Sequence, residues 1–415
     1  MKKLNLNILS IGKIYDAFPN PELDSNIIEL INTINKKSDK EEYIYTLVKT
    51  LFEHKILEVV LYNIEHSKYS DNKEILFLKE KINNYISYKV EKVYDEHLKI
   101  LKDTAKSKKI MLIKGMAIKR YYPHWYKRNQ GDIDILMKNL NEANVLYENL
   151  KCDYYFEKIK LHFLKKDEYT STIDFLPYDE KNPFIDVHIT PYYMWGAVSF
   201  FKDIWVDAVI DEDFYYPSIE NLILMLCAHI SNQWMYRMRD INDLYCLTKD
   251  NNINWASIIA RADKLGLKSI LEVLMVQLKK YYNIDYCFVE SKFSFERKLF
   301  SILNFGKESY LGSVILESNF LFKNYKKLFD KKTAIIQMIK NTFYMIVTKN
   351  RAFNTGNHLK KKKINEVYVL KKLDRNVFEN SKKIIDNNLA ICNENTNNEY
   401  FLTDFGKLYQ VFYKD

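Results

Sequence analysis

The sequence predicts an α+β fold in which a small mixed sheet with helices is embedded in a largely helical chain. Three observations predict it. Apolar residues recur at helical spacing on both sides of a central stretch. Glycine and proline, the residues that interrupt helices, number only 9 and 7 among 415 residues. Between Lys109 and Ile189 the pattern changes to short strand-like runs separated by helical pieces, as a small sheet with helices on one side requires.

Each element follows in order. From about Asn26 to Lys106 the apolar positions include Ile44, Leu47 and Leu51, then Ile56, Val59 and Val60, which makes residues 1–105 a helical N-terminal region. Lys109-Ile110-Met111-Leu112-Ile113 reads as a buried strand, followed by Lys114-Gly115 and a short amphipathic piece through Tyr122. Gly131-Asp132-Ile133-Asp134-Ile135-Leu136 is a second strand, and a helix containing Ala143, Leu146 and Leu150 comes next. Extended stretches around Tyr154–Phe156, Thr170–Leu176 and Phe184–Ile189 complete a core over 106–215. Ser218 is placed to cap a helix that starts the run Ile219 to His229, and helical signals continue to about Val347, giving a helical domain over 216–348.

The remainder, 349–415, divides again. Lys349 to Lys363 is basic and rich in loop formers, and reads as a linker. Asp374 to Asn388 suits a helix, Leu389 to Cys392 a strand, Asn393 to Asn398 a turn, and Glu399 to Thr403 a second strand. That order is similar to the wing and final helix of winged-helix domains, so a winged-helix-like C-terminal module is one expectation; a plain hairpin packed on the helical domain is the other.

Bulk properties limit the function classes. Lys and Arg outnumber Asp and Glu by 63 to 54, a net charge of +9 that suits an anionic ligand but is too dispersed to predict nucleic acid by itself. Cys152, Cys227, Cys246, Cys287 and Cys392 are odd in number and scattered, which argues against a disulfide framework or a zinc site and fits a reducing cytoplasm. No long apolar core follows the N-terminus, and the most apolar windows fall short of the roughly 20 residues that span a bilayer. A soluble cytoplasmic protein without a membrane partner is expected. Walker loops, Gly-x-Ser-x-Gly elbows, Gly-x-Gly-x-x-Gly turns and His-Glu-x-x-His helices are all missing from the sequence.

The chemistry concentrates in residues 114–136. Side chains alternate along a strand, so Asp132 and Asp134 share one face while Ile133 and Ile135 enter the core. Two carboxylates on one face can hold a divalent metal. Gly115, at a strand-to-helix junction, lets backbone N–H groups approach a phosphate. Incidental aspartates at a solvated strand end are the bland alternative, and the Lys-Gly turn with its following helix favours the metal site.

Strand, glycine-containing turn, helix and Asp-x-Asp strand resemble the nucleotidyltransferase superfamily that includes DNA polymerase β and the aminoglycoside nucleotidyltransferases. More narrowly, Leu112-Ile113-Lys114-Gly115-Met116-Ala117, Tyr121-Tyr122-Pro123, Arg128 and Gly131 to Leu136 resemble a poorly characterised bacterial nucleotidyltransferase-like family with the pattern Leu-Lys-Gly, Tyr-Pro, Arg, Asp-x-Asp. Ile113 stands where that pattern has leucine. The matching core covers roughly a quarter of the chain.

The resemblance implies a polymerase β-type core and metal-dependent transfer of a nucleoside monophosphate, AMP from ATP being the expected case, with release of pyrophosphate. Asp132 and Asp134 would hold two Mg2+ ions, with Mn2+ as an alternative. A third carboxylate from a later strand is expected, and Asp186 and Asp174 both lie in extended, apolar-flanked runs. Asp186 is preferred because the family pattern ends in Asp-x-His, matched by Asp186 and His188. His188 would contact phosphate or acceptor, or serve as a structural hydrogen-bonding group. Gly115 would admit the triphosphate, and Lys114 or Arg128 would neutralise it. Met116 stands where the superfamily usually has serine, which removes a hydroxyl donor.

Farther on, His229, Arg237, Arg239, Asp240 and Asp243 lie in a stretch that resembles the family's helical motif after the catalytic core. Salt-bridged packing is their expected role, with nucleotide or acceptor contact as the other, and His229 reads as a core histidine. Trp195 and Trp234 read as core or pocket walls. Expected partners are a nucleoside triphosphate and an acceptor that is a small molecule, peptide or protein, with nucleic acid reachable through the C-terminal module. The competing function is a catalytically inactive nucleotidyltransferase-like protein that binds nucleotide, nucleic acid or a peptide.

Overall fold

The computed structural model describes residues 6–87, 94–106, 108–126, 128, 131–138, 140–165, 168–189, 204–211, 213–233, 235–249, 252–284, 286, 301–303 and 305–306, and the strand residues 367–371, 400–402 and 408–410. Six helices come first: α1 (Leu6–Ile11), α2 (Pro21–Asn35), α3 (Lys40–Glu53), α4 (Leu57–Glu65), α5 (Lys73–Ser87) and α6 (Tyr94–Ala105). The sheet region follows with β1 (Met111–Leu112), α7 (Lys114–Lys119), β2 (Asp132–Leu136), α8 (Leu140–Leu150), β3 (Tyr154–Lys165), β4 (Glu168–Pro177), β5 (Phe184–His188), β6 (Val209–Asp211) and β7 (Phe214–Tyr216). Then come α9 (Ile219–Gln233), α10 (Met238–Thr248), α11 (Trp255–Leu265) and α12 (Lys268–Tyr282), and three C-terminal strands, β8 (Val367–Lys371), β9 (Tyr400–Leu402) and β10 (Leu408–Gln410).

Local chemistry sets the helix ends. Asn20 caps α2 by accepting from the Leu23 N–H, with Pro21 at the first helical position where a missing N–H costs nothing. Asp39 and Asn254 cap α3 and α11 in the same way. Gly266, at φ +79, closes α11 in the left-handed conformation that a residue without Cβ adopts most readily. On α2, Leu23, Ile27, Leu30 and Ile34 recur on one face and are fully buried, each contributing roughly 1.5–3 kcal/mol by leaving water.

The sheet is mixed, in the order β6-β7-β1-β2-β5-β4-β3-β8. β2 and β5 run parallel, as do β1 and β7; the other neighbours are antiparallel. The expected α+β architecture is therefore present. Four strands were not foreseen: β6 and β7, which extend the sheet beyond β1, β10, and β8, which follows the basic linker and pairs with β3 at the sheet edge. In the C-terminal segment β9 pairs with β10, whereas the helix expected over 374–388 and the strand over 389–392 lie outside the described residues, as do Trp195 and Trp234. Among the described residues no helix is long and apolar enough to cross a membrane.

Two polar arrangements bind the helical regions to the core. The chain from Gly12 to Asp16 is held by side chains from elements far along the sequence. Asn63 on α4 donates to the carbonyls of Ile11 and Lys13 at 2.6 and 2.8 Å, and the Tyr126 hydroxyl donates to its Oδ1. Asn242 on α10 donates to the Gly12 carbonyl at 2.8 Å, while the Tyr282 hydroxyl on α12 donates to Asn242 and accepts the Ile14 N–H at 2.8 Å. Backbone groups buried without a strand or helix are thereby satisfied.

The second arrangement fixes the turn between α3 and α4. Buried His54 accepts the Met238 N–H at Nδ1, 3.1 Å away, and its ring meets Phe305 edge-on at 4.6 Å. Gly306 sits against that ring at φ +72, and a Cβ there would lie 2.3 Å from His54 Nε2. Gly306→Ala is therefore expected to destabilise the protein by on the order of 2–4 kcal/mol, from left-handed strain plus overpacking against a ring that cannot swing away. Thermal unfolding reads this directly; an unchanged midpoint would show that the His54 turn yields freely.

Candidate metal and nucleotide site

Register brings the carboxylates together. On β2, Ile133 and Ile135 are fully buried in the core, and Asp132 and Asp134 face the other side. The parallel neighbour β5 sets Asp186 opposite Asp134 and His188 opposite Leu136. The antiparallel neighbour β4 sets Asp174 opposite Asp186, so Asp134, Asp186 and Asp174 form a row across three strands. Asp174 is one strand farther from β2, about 4.8 Å in the hydrogen-bonding direction.

Donor atoms of Asp134, Asp186 and His188 all lie within 4.8 Å of one another. His188 Nε2 is 3.1 Å from Asp186 Oδ2 and 3.4 Å from Asp134 Oδ1. The Lys114 ammonium stands among them: it donates to Asp134 Oδ1 and lies 3.1 Å from His188 Nε2 and 3.8 Å from Asp186 Oδ2. Lys114 is at φ +49, so at this strand-to-helix turn the left-handed residue is the lysine before Gly115. A side-chain-bearing residue held there carries strain, a feature that clusters at functional sites.

Electrostatics shows what this corner lacks. Confinement by surrounding protein, then the charge of Asp134 and later of Asp186, push Asp132 up to about 6 despite the opposing pull of Lys114. Burial disfavours a charged His188, yet Asp186 and Asp134 outweigh it and raise the imidazole above its ordinary value. A carboxylate that holds on to its proton, and a histidine that gains one, mark a site with a surplus of negative charge. Hard carboxylate oxygens supplemented by one imidazole nitrogen suit Mg2+ or Mn2+, the nitrogen leaning toward Mn2+. The residues present therefore fit a divalent ion.

A cleft of about 190 Å³ opens over these groups. α7 contributes Lys114, Gly115 and Ile118, α9 contributes Leu222, Met225, Leu226 and His229, and α10 contributes Arg239, Asp240 and Asp243. His229 lines this wall, and burial together with Lys114, Arg239, Arg237 and Lys55 holds it neutral, well below the ordinary histidine value. Asp240 accepts the Arg237 N–H at 2.7 Å; burial raises its pKa against the pull of Arg239 and Arg237.

Arg128 lines the cleft but is already engaged. Its Nε and Nη2 donate to the two oxygens of Asp243 at 2.8 and 2.7 Å, and the Tyr122 hydroxyl donates to Asp243 Oδ1 at 2.7 Å. Side-chain exposures of 6% and 1% make this a buried bidentate pair. Burial opposes the Asp243 charge, yet Arg128 holds the carboxyl below its usual range. Tyr122, Arg128 and Asp243 thus form one unit, the salt-bridged packing expected for Asp243.

Sequence reasoning missed Lys55, which reaches the cleft from the turn between α3 and α4. Its one local mark is φ +55, invisible in a sequence that places no glycine there.

Comparison with known proteins adds the following. The model of a family described as uncharacterised nucleotidyltransferase matches residues 40–283. No curated protein matches. Among solved structures, the chain is similar to a candidate nucleotidyltransferase from H. pylori, at 14% identity over 56% of this chain and 95% of that one, with a TM-score of 0.26. It is also similar to JHP933 from Helicobacter pylori, at 14% identity over 58% and 93%, TM-score 0.25. The Megavirus polyadenylate synthase matches at 11% identity over 85% and 65%, TM-score 0.23.

Proposed function

Since the chain belongs to the uncharacterised nucleotidyltransferase family, whose model spans more than half of its 415 residues, we propose that it is a metal-dependent nucleotidyltransferase. It moves a nucleoside monophosphate, AMP from ATP in the first instance, onto an oxygen of a small-molecule, peptide or protein acceptor. The acceptor oxygen bonds to the α-phosphorus as the bond to the bridging oxygen breaks. Pyrophosphate leaves with that electron pair, and the acceptor proton passes to a base.

What carries this reading is the convergence of Asp134, Asp186 and His188 within 4.8 Å, with Asp132 on the same face. Asp132, Asp134 and Asp186 would hold the divalent ions, and His188 would join them or meet the phosphate. Such ions, when bound, supply Lewis-acid charge to the phosphoryl group and ease deprotonation of the acceptor. Asp186, on β5 beside Asp134, would serve a second ion or act as base toward the acceptor, and it is preferred to Asp174 because Asp174 stands one strand farther from β2. Lys114, which donates to Asp134, would meet the phosphates beside Gly115. Arg128 acts through Asp243 to hold α10 in place. The apolar wall of Leu222, Met225 and Leu226 receives the nucleobase or an apolar part of the acceptor.

Calorimetric titration with ATP, GTP, CTP and UTP, each with and without magnesium, tests the donor site without knowledge of the acceptor. One triphosphate is expected to bind at least about tenfold more tightly with magnesium, a difference of ~1.4 kcal/mol. If none binds with metal present, an inactive binding protein becomes the better account.

A further inference from the structure

We infer that Lys55 and Arg239, together with Arg237, form a polyphosphate subsite at the mouth of the cleft, which receives the β- and γ-phosphates of the donor and then the pyrophosphate product. The inference rests on the donor-site reading above and assigns the triphosphate tail to a part of the chain outside the sheet region.

Geometry carries it. The cleft over the carboxylates and a second cavity of about 410 Å³ share Lys55, Gly131 and Arg239 in their linings, and Arg237 lines the second. The two spaces therefore meet at two cations and a glycine. Gly131 adjoins Asp132, and a Cβ built on it would meet nothing within 4 Å, so the passage beside the metal ligands is open. A phosphoryl group at Asp132 and Asp134 would extend its tail along this passage toward Lys55 and Arg239.

Charge and backbone point the same way. Lys55, Arg239 and Arg237 gather around one opening that Glu53 and Glu58 also line; Arg237 Nη1 donates to Gln233 Oε1 at 2.5 Å and Arg239 Nη2 lies 3.8 Å from Asp240 Oδ1, so Lys55 and the Nε edge of Arg239 are the parts turned to a ligand. Lys55 is held at φ +55 and is exposed at the rim, where enclosing protein, Arg239 and Arg237 push its pKa down to about 8 against the pull of Asp240 and Asp132. Arg239 Nε is buried without a hydrogen-bond partner, and the Arg239 N–H reaches the His54 carbonyl at 3.4 Å, which ties the two cation-bearing segments together. A polyphosphate brings several negative charges on one short chain and would meet Lys55 and Arg239 together.

The test is calorimetry of inorganic tripolyphosphate on the full chain without metal, comparing wild type with Lys55→Gln, Arg239→Gln and Lys55→Arg, and with Lys36→Gln as an exposed control. Wild type and Lys36→Gln are expected to bind alike, Lys55→Gln and Arg239→Gln to lose about tenfold or more, and Lys55→Arg to recover most of the loss. Melting curves establish that each variant is folded; Lys55, exposed at the rim, serves if Arg239→Gln does not fold. Unchanged tripolyphosphate binding in Lys55→Gln overturns the subsite, and so does failure of the wild type to bind. Absence of magnesium-dependent triphosphate binding in the wild type instead sinks the donor reading, whatever the metal-free arm gives.

Discussion

The Asp132→Asn/Asp134→Asn variant is expected to lose magnesium-dependent triphosphate binding, with a fall in affinity of at least about 100-fold. Outer-shell partners of a metal site typically cost 10–100-fold when removed, and these two residues are proposed as ligands themselves. The substitution keeps shape and removes only charge, so the sheet register that sets Asp134 beside Asp186 is retained. It also removes the Asp134 charge, which after confinement by the surrounding protein is the next cause of the rise of Asp132 to about 6. Calorimetry with the triphosphate preferred by the wild type, with and without magnesium, gives the answer. Binding that is indifferent to the substitution would mean that the aspartates are not a working metal site.

Arg128→Ala should unfold far more readily than the wild type, by about 3–5 kcal/mol, because it strands a buried carboxylate. Asp243 is 1% exposed and takes both Arg128 nitrogens and the Tyr122 hydroxyl. Asp243→Ala strands the guanidinium in turn and should cost a similar amount. The double variant Arg128→Met/Asp243→Leu should cost less than either, since it buries no unpaired charge. The folded pKa of Asp243 lies below its unfolded value, so the contribution of the pair is present at neutral pH and is lost only as pH falls below about 4. Denaturant unfolding measures all three variants. An Arg128→Ala protein of normal stability but weakened triphosphate binding would assign Arg128 to phosphate instead.

The sheet and its carboxylates were legible because alternation is a local rule. Ile133 and Ile135 show where the core lies, which fixes the face of Asp132 and Asp134; the same reasoning applies to Ile185, Val187 and Asp186. Partners across long sequence distances were not legible. Arg128 and Asp243 are 115 residues apart, and no periodicity couples them, so the arginine read as a phosphate ligand when its fork is already occupied. Lys114 was read from the turn as a phosphate ligand, and its ammonium sits among Asp134, Asp186 and His188, partners 20 to 74 residues away that the turn itself does not reveal. Helical spacing around Lys55 reported only the buried face of α3 and α4, and said nothing of a turn whose exposed lysine faces a cleft built by α7, α9 and α10. β8 escaped notice because a five-residue run beside many lysines carries too little pattern.

The hydrogen bond from the Ile14 N–H to the Tyr282 hydroxyl spans 268 residues, and this separation sets an order of events during synthesis. At ribosomal rates of roughly 5–20 residues per second, about 15–50 s pass between the emergence of the acceptor's earliest neighbour and that of the acceptor itself. α2 to α5 can gather in that interval, since their partners are close in sequence. The stretch from Gly12 to Asp16 has to wait until α10 and α12 arrive, and so a piece made before α2 to α5 is locked after them.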